Sequence, residues 1–372
     1  RRIQTSVSPI MTATARAVAR VIRNDAARKI SANILASSEA STPRYSPTEL
    51  LSHFDQSSTL TVKRSPKRRG GRFFMYEEHA STKLRDDNVA QTIAVAPGEL
   101  ATLLTRRRRS DGGESGDGHH YYWTAPVAAA APALTDDFRW LLRLREAGDP
   151  SPPDPRGPSL WMGTSGSGTQ CHYDVADNVI VQLHGSKRVR CYPPGAGARH
   201  LHVFPDAHPR ARKSQVDFDG VAGGDASGME RFPHFVDSPP PSLDVVLRPG
   251  DALEIPAFWF HHVENGRAPN VLAREAVRDE EFEDAPSVSV NSFSLSRPMM
   301  VAQQIFQKAS LQPLLAGTLR GAAGDAKLAS SVLGALGTSL VRGLNVVDNG
   351  EERDFIRRYL LDARYVPLLG NI

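Results

Sequence analysis

Residues 168–194 read GTQCHYDVADNVIVQLHGSKRVRCYPP, and this stretch decides how the rest of the chain is interpreted. Two strand-like segments, residues 179–183 and 188–192, lie on either side of Gly185, which predicts a hairpin. His172 and Asp174 precede it and are separated by one residue. Because alternate side chains of a strand face the same side, an imidazole and a carboxylate are expected in one cavity.

A second stretch supplies the partner that this pair needs. Residues 249–265, PGDALEIPAFWFHHVEN, contain a Gly-Asp turn, a strand and then His261 and His262. Two imidazoles and one carboxylate, with open positions opposite them, form the facial triad of non-haem Fe(II) oxygenases. An H-x-D pair alone is weak support, since a core histidine usually only satisfies hydrogen bonds, and spacing alone leaves both histidines as the third ligand.

These motifs together resemble the JmjC oxygenase family. Its signature has an H-x-D pair, a lysine at the end of the following hairpin and a proline-containing turn, as in residues 168–194. IPAFWFHHV (255–263) resembles the distal iron-histidine motif, in which the first histidine after the aromatic pair is the ligand. SVSVNSF (287–293) resembles the final core strand. The resemblance extends from about Tyr121 to Phe293, and it favours His261 over His262.

The resemblance implies an Fe(2+) centre, with 2-oxoglutarate and O2 as cosubstrates. The implied metal ligands are His172, Asp174 and His261. Lys187 is assigned to the far carboxylate of 2-oxoglutarate, because a buried ammonium without an acidic partner is costly and a dicarboxylate stabilises both charges. The other implied 2-oxoglutarate contacts are Thr169, Tyr122, Asn178 and Asn291. Tyr121 is the alternative to Tyr122, and His262 is expected to be structural.

Two branches of this family are the most similar. The Val-x-Asp-Asn run at 175–178 and the I-P-A run before the distal histidine resemble the tRNA wybutosine hydroxylases. That branch implies hydroxylation of the wybutosine-type base at position 37 of phenylalanine tRNA, with tRNA as the partner. KSQVDFD (213–219) resembles the factor-inhibiting-HIF asparaginyl hydroxylases. The alternatives are therefore a JmjC protein hydroxylase acting on asparaginyl, histidinyl or lysyl side chains, a lysine demethylase, or a non-enzymatic cupin binding protein.

Two basic clusters agree with an RNA partner, because concentrated positive charge pairs well with phosphates. The candidate tRNA-binding residues are Lys63, Arg64, Lys67, Arg68, Arg69, Arg72, Arg106, Arg107, Arg108 and Arg109. A charge run is more often a solvated loop, so this interpretation depends on the family resemblance. Phe73, Phe74 and Tyr76 follow the first cluster and fit either base stacking or a buried strand.

The sequence predicts a capped helix start at 46–51 and a helix from about Thr135. It also predicts short strands at 60–62, 73–76, 92–95, 179–183, 188–192, 244–247, 252–255, 262–264 and 288–293. This pattern of short strands predicts a mainly β fold. With the resemblance, this becomes a double-stranded β-helix (jelly-roll, cupin/JmjC) core with flanking N-terminal helices and strands and a C-terminal helical bundle. The expected divisions are an extension at 1–45, an N-terminal part of the oxygenase at 46–158, the core at 159–297 and helices at 298–372. The C-terminal helices either complete the fold or form a homodimer interface, which is the expected assembly.

Composition places the chain among globular proteins of a reducing compartment. It has 45 Lys+Arg against 41 Asp+Glu and only two cysteines, Cys171 and Cys191, which cannot form a disulfide framework. No apolar stretch is long enough to span a membrane. Cytoplasmic localisation is expected, although residues 11–35 can be written as a basic amphipathic helix typical of a mitochondrial transit peptide; the alternative is a poorly ordered extension.

Overall fold

The structure, a computed structural model, describes only part of the chain. The described residues are 19–22, 34, 44–66, 73–74, 90–105, 118–143, 153, 155–174, 176–194, 200–203, 212–216, 218, 229–230, 232–236, 238–266 and 285–295. No helix within these ranges is both long enough and apolar enough to cross a membrane.

Within this described part the fold is mainly β. The strands are β1 (Arg20–Val21), β2 (Leu60–Pro66), β3 (Phe73–Phe74), β4 (Gln91–Val95), β5 (His119–Pro126), β6 (Ser159–Gly163), β7 (Gly168–Tyr173), β8 (Ala176–His184), β9 (Lys187–Tyr192), β10 (Leu243–Leu247), β11 (Ala252–Ile255), β12 (Phe260–Asn265) and β13 (Ser287–Leu295). The predicted strands at 60–62, 92–95, 179–183, 188–192, 244–247, 252–255 and 288–293 are confirmed within a few residues.

Short helices flank the strands. They are α1 (Pro47–Ser52), α2 (Pro97–Thr105), α3 (Val127–Ala130), α4 (Pro233–Val236) and two 3-10 helices, Pro132–Leu134 and Asp136–Arg143. The predicted start of α1 is confirmed, because the Glu49 N–H donates to the Ser46 side chain at 3.3 Å. The helix predicted after Thr135 is a 3-10 helix, in which Phe138 N–H bonds to the carbonyl of Thr135 three residues earlier.

The strands form two sheets whose pairings are antiparallel except at β3, which runs parallel to β7. The first sheet has the order β1-β11-β8-β13-β6-β5-β2-β4, and the second has the order β10-β9-β12-β7-β3. Successive strands from β6 to β9 alternate between the sheets, and so do those from β10 to β13. Strands β8 and β9 therefore lie in different sheets and do not pair, so the hairpin predicted around Gly185 is wrong and the connection is a turn between the sheets. Residues of β7, β9, β12 and β13 line one cavity between the two sheets.

Apolar clusters fix how the layers pack. On β8, Val179 and Val181 face helices α1 and α2, whereas Ile180 faces the second sheet and packs with Val189 and Leu247. This alternation is the pattern of a strand whose two faces contact different layers. A further apolar cluster covers the outer face of the second sheet, where residues 201–203 and 216–235 supply the covering side chains that the structure describes. The sheet carrying β7, β9 and β12 is thus buried on both faces.

The helix written over residues 11–35 is wrong at Arg20 and Val21. These two residues form β1, which pairs with Leu253 and Glu254 at the edge of the first sheet. The Arg20 guanidinium also lies 2.9 Å from the Glu254 carboxylate. The edge of β11 offers backbone groups that need partners, and this tertiary pairing overrides local helix propensity.

The predicted C-terminal helices and the homodimer interface assigned to them lie at 298–372, outside the described residues. Strand β5 and helix α2 were not predicted. Glycines and acidic residues just before His119 are typical of a loop, so the start of β5 could not be recognised from the sequence. Its aromatic residues are nevertheless typical of a strand.

Candidate metal and cosubstrate site

Two neighbouring strands of the second sheet bring the predicted metal ligands together. His172 lies on β7, Asp174 directly follows it, and His261 lies on the neighbouring β12 as the Cα partner of His172. One ligand atom from each side chain lies within 4.8 Å of the other two. This spacing is compatible with a single ion bound by two imidazoles and a carboxylate.

A hydrogen bond fixes each histidine ring. His172 Nδ1 lies 2.8 Å from the carbonyl oxygen of Gln170, and His261 Nδ1 lies 3.1 Å from the carbonyl oxygen of Trp259. A carbonyl can only accept, so each Nδ1 must carry the proton and each Nε2 keeps its lone pair. Burial, with a further contribution from His261, lowers the pKa of His172 to about 3. The ring is therefore neutral, as a metal ligand must be.

A turn before β12 holds Asp174 in place. The Phe258 N–H donates to the Asp174 backbone carbonyl at 2.7 Å, and Phe258 itself has a φ of 66°. A buried phenylalanine in the left-handed region is strained, and such strain often occurs at functional sites. The Asp174 carboxylate lies 3.7 Å from His261 Nε2 and 3.9 Å from Arg212 Nη1. The turn thus sets the distance between the carboxylate and the distal histidine.

A β-bulge explains why Thr169 shares the cavity with His172. The register between β7 and β12 pairs His172 with His261 but Thr169 with Val263, so three steps on β7 match two on β12. Without this bulge, residues three apart on a strand would face opposite sides. Both Thr169 and His172 instead line the same cavity.

The cavity between the two sheets contains every predicted site residue except those assigned to tRNA. It is lined by Tyr122, Trp161, Thr169, His172, Asp174, Asn178, Ile180, Lys187, His261, Val263, Ser289, Asn291 and Phe293. One end carries the three candidate metal ligands and the other carries Lys187. The cavity is therefore bounded by a candidate cation site and a fixed ammonium, which suits a ligand with two anionic ends.

Lys187 is the first residue of β9 and only 5% exposed. Its ammonium donates a hydrogen bond to Ser289 Oγ on β13, across the gap between the sheets. Burial lowers the pKa of Lys187 to about 7. Among the described residues, no carboxylate forms an ion pair with it, so a bound anion would relieve the cost of its burial.

Hydroxyl and amide groups complete the wall of the cavity. Tyr122 Oη and Thr169 Oγ1 lie 3.5 Å apart, whereas Tyr121 packs into the apolar cluster on the other face of the first sheet. The structure therefore places Tyr122 in the cavity. Further along the first sheet, Asn291 Nδ2 on β13 donates to Asn178 Oδ1 on β8 at 2.9 Å.

Two residues of this wall were missed by sequence reasoning. Trp161 Nε1 donates to Asn291 Oδ1 at 2.7 Å, which orients the Asn291 amide, and Ser289 accepts from Lys187. Ser289 had a usable signal, because it lies two residues before Asn291 on one strand and must share its face. Trp161 had no such signal, because it lies outside the quoted motifs and the sequence does not show which strand β6 pairs with.

His262 faces away from the cavity, as expected for a structural residue. Its ring is stacked on Phe218 with centroids 4.8 Å apart, and its Nε2 lies 3.4 Å from the Glu264 carboxylate. It is not part of the three-residue group formed by His172, Asp174 and His261.

The residues predicted to bind tRNA lie mostly outside the described part. Lys63 and Arg64 are half-buried on β2, and Arg64 donates to Gln91 on β4 at 2.6 Å. The backbone of Phe73 and Phe74 forms β3 beside β7, so the strand alternative is confirmed there. The candidates outside the described residues are Lys67, Arg68, Arg69, Arg72, Arg106, Arg107, Arg108 and Arg109, and Tyr76 is outside as well.

Comparison with known proteins gives one family match and several relatives. The model of the cupin-like domain family matches residues 21–293. JmjC domain-containing protein F of Dictyostelium discoideum is 29% identical over 143 residues, 36% of this chain and 30% of that protein. tRNA wybutosine-synthesizing protein 5 of Danio rerio is 39% identical over 92 residues, 24% of each chain. Lysine-specific demethylase JMJ31 of Arabidopsis thaliana is 26% identical over 107 residues, 29% of this chain and 18% of that protein. These similarities cover 30% or less of each relative's length.

Proposed function

The chain belongs to the cupin-like domain family, whose model matches most of its length, and from this we propose that it is an Fe(II)- and 2-oxoglutarate-dependent hydroxylase. JmjC domain proteins are among its relatives. The observation that carries the proposal is the position of the His172, Asp174 and His261 group in one cavity with buried Lys187. In this interpretation the alternating strands β6 to β13 are a double-stranded β-helix.

The residues present fit both groups. His172 and His261 would bind the iron through Nε2, and Asp174 through its carboxylate. When bound, iron supplies the redox chemistry that couples decarboxylation of 2-oxoglutarate, giving succinate and CO2, to hydroxylation of a substrate C–H bond by O2. Lys187 would bind the far carboxylate of 2-oxoglutarate by a charge-assisted hydrogen bond, because it lines the cavity and is buried there.

The neutral groups would orient the cosubstrate and hold it away from bulk water. Thr169 and Tyr122 would donate hydroxyl hydrogens to the same carboxylate as Lys187. Asn178 and Asn291, already linked to each other and to Trp161, would contact the metal-bound end. Val263, Ile180 and Phe293 form the apolar part of the wall.

The proposed chemistry is tested by succinate formation. Purified protein with Fe(II), O2 and 2-oxoglutarate is expected to release succinate, measured by mass spectrometry. His172→Ala/Asp174→Ala is expected to release none. Succinate release that survives in this double variant would reject the assignment of the metal site.

We propose the wybutosine-type base at position 37 of phenylalanine tRNA as the substrate. This is supported by the similarity to tRNA wybutosine-synthesizing protein 5, by the resemblance of residues 175–178 and 255–257 to the wybutosine hydroxylases, and by the two basic clusters. Mass spectrometry of this base, from cells with and without the protein, is the test. Retention of the hydroxylated base without the protein would reject the tRNA substrate and leave the oxygenase chemistry unaffected.

A protein substrate is the second candidate, since one relative is named a lysine-specific demethylase. Incubation with peptide arrays and with tRNA separates the two, because only the true substrate should increase succinate formation.

The proposed domain division has the oxygenase at 46–297 with β1 added from the N-terminal segment, and helices at 298–372 that form a homodimer. Residence in the cytoplasm, or import into mitochondria, remains part of the proposal.

A further inference from the structure

A buried charged cluster lies on the outer face of the second sheet, directly behind the candidate metal ligands. It consists of Arg190 on β9 with His262 and Glu264 on β12, whose side chains are 4%, 2% and 4% exposed. Arg190 Nη2 lies 3.0 Å from Glu264 Oε1, and His262 Nε2 lies 3.4 Å from the same oxygen. One carboxylate oxygen therefore links the two strands.

Phe218 closes this cluster from outside. Its ring stacks on His262 with an interplanar angle of 28°, and the Arg190 guanidinium lies 5.6 Å from its centroid. Phe218 also packs against Phe235 and Tyr192 at centroid distances of 4.6 and 6.1 Å. The segment covering the outer face is thus anchored on the same charged group that joins β9 and β12.

Stability alone does not explain such a cluster. Removing two charges from water is costly, and buried ion pairs can often be replaced by apolar residues of similar volume without loss of stability. The best-established use of buried polar groups is to fix one register among alternatives. Because this cluster joins β9 and β12, the register between these two strands is the one it can fix.

Strand β12 carries the candidate ligand His261 and lies between β7 and β9. On the β7 side the ladder is irregular, because the bulge falls opposite His262. On the β9 side the register is continuous, with Arg190 opposite His262 and Cys191 opposite His261. The register of β12 is therefore continuous only on the β9 side, where the Arg190–Glu264 pair crosses diagonally between the strands.

We propose that Glu264, through its ion pair with Arg190, is a positioning residue for His261. The pair locks β12 to β9 on the outer face, so that the imidazole on the inner face is presented at the metal position despite the bulge. This inference rests on the proposed metal site. Groups that orient metal ligands typically change metal affinity or activity by about 10–100-fold when they are removed.

The test is Co(II) binding by the full chain carrying Arg190→Met/Glu264→Met, in which both charges are replaced by apolar side chains. The variant is expected to fold but to bind Co(II) about 10–100-fold more weakly in calorimetric titration, with an altered visible spectrum of the bound ion. The control is Arg20→Met/Glu254→Met. It removes an ion pair of 2.9 Å between β1 and β11 of the first sheet, away from β9 and β12, and is expected to leave Co(II) affinity and spectrum unchanged.

Arg190→Lys is the second variant, used if the double variant does not fold. It keeps the buried charge but loses the guanidinium geometry, so that Co(II) affinity is expected to fall less than in the double variant while the spectrum still changes. Wild-type affinity and spectrum in a folded variant would overturn the positioning role alone. A wild-type protein that does not bind Co(II) and releases no succinate would overturn the proposed metal site as well.

Discussion

His172 and His261 lie directly opposite each other on antiparallel strands, with ring centroids 4.3 Å apart. Each ring is held by the same local device, a hydrogen bond from Nδ1 to the carbonyl of the residue two positions earlier. Two strands thus present two Nε2 lone pairs toward Asp174. The pairing of the strands, and not flexible loops, defines the candidate metal position.

Asp174→Asn removes the carboxylate charge with little change of shape. Because the amide is a poor ligand for a divalent ion, the loss of Co(II) affinity should exceed the roughly 10–100-fold typical of groups that only orient ligands. The measurement is calorimetric titration with Co(II), with circular dichroism to show retained folding. Unchanged affinity would exclude Asp174 as a ligand.

The affinity for 2-oxoglutarate should fall as the pH rises above about 7. Burial lowers the pKa of Lys187 to about 7 in the free protein, and only its protonated form attracts a carboxylate. The sign is therefore tighter binding below this pKa and weaker binding above it, by up to about tenfold per pH unit. Titration with the unreactive analogue N-oxalylglycine across this range provides the measurement.

Two variants control that titration. Lys187→Arg keeps its charge throughout this range, so any remaining affinity should not vary with pH in the same way. Lys187→Met should bind the analogue weakly at every pH. An equal pH dependence in wild type and Lys187→Arg would show that another group causes it.

Tyr122→Phe should weaken binding of the analogue by about five- to tenfold, because one hydroxyl donor to the dicarboxylate is lost. Tyr121→Phe is the matched control, since Tyr121 packs in the apolar cluster away from the cavity. The dissociation constants of both variants at one pH decide the assignment. If only Tyr121→Phe weakened binding of the analogue, Tyr121 and not Tyr122 would be the residue that contacts the dicarboxylate.

Gly185→Ala should destabilise the turn between β8 and β9, which Lys187 directly follows. Gly185 has a φ of +63°, and an added Cβ would lie 2.3 Å from the carbonyl oxygen of Pro286. We expect a loss of about 1–3 kcal/mol in the free energy of unfolding, measured by chemical denaturation. Gly98→Ala is the control, because its Cβ would be at least 4.0 Å from other atoms and α2 favours alanine. Equal effects at both glycines would contradict this account.

The sequence could predict which side chains share the cavity because the relevant information is local. An H-x-D pair on a strand and a lysine after a tight turn each place side chains through period-two geometry. Thr169 needed more than this rule, because it reaches the cavity only through the bulge between β7 and β12. The family resemblance identified Thr169, and the physical reason appears only in the register of the two strands.

The remaining features depend on contacts between distant parts of the chain. Trp161 orients Asn291 across 130 residues of sequence, and Glu264 pairs with Arg190 across 74. Arg20 and Val21 form a strand only because β11 has a free edge. Local propensity holds no information on these partners, so neither the Asn291 orientation nor the edge strand could be predicted from sequence.

The most direct test of a joint metal and cosubstrate site is thermodynamic coupling between Fe(II) and 2-oxoglutarate. Titrations without oxygen measure the dissociation constant of 2-oxoglutarate in the presence and absence of Fe(II). If the His172, Asp174 and His261 group and Lys187 hold the two ends of one ligand, Fe(II) should tighten binding by about tenfold or more, a coupling of about 1.4 kcal/mol. Asp174→Asn should abolish this coupling. Equal affinity with and without Fe(II) in the wild-type protein would contradict the account.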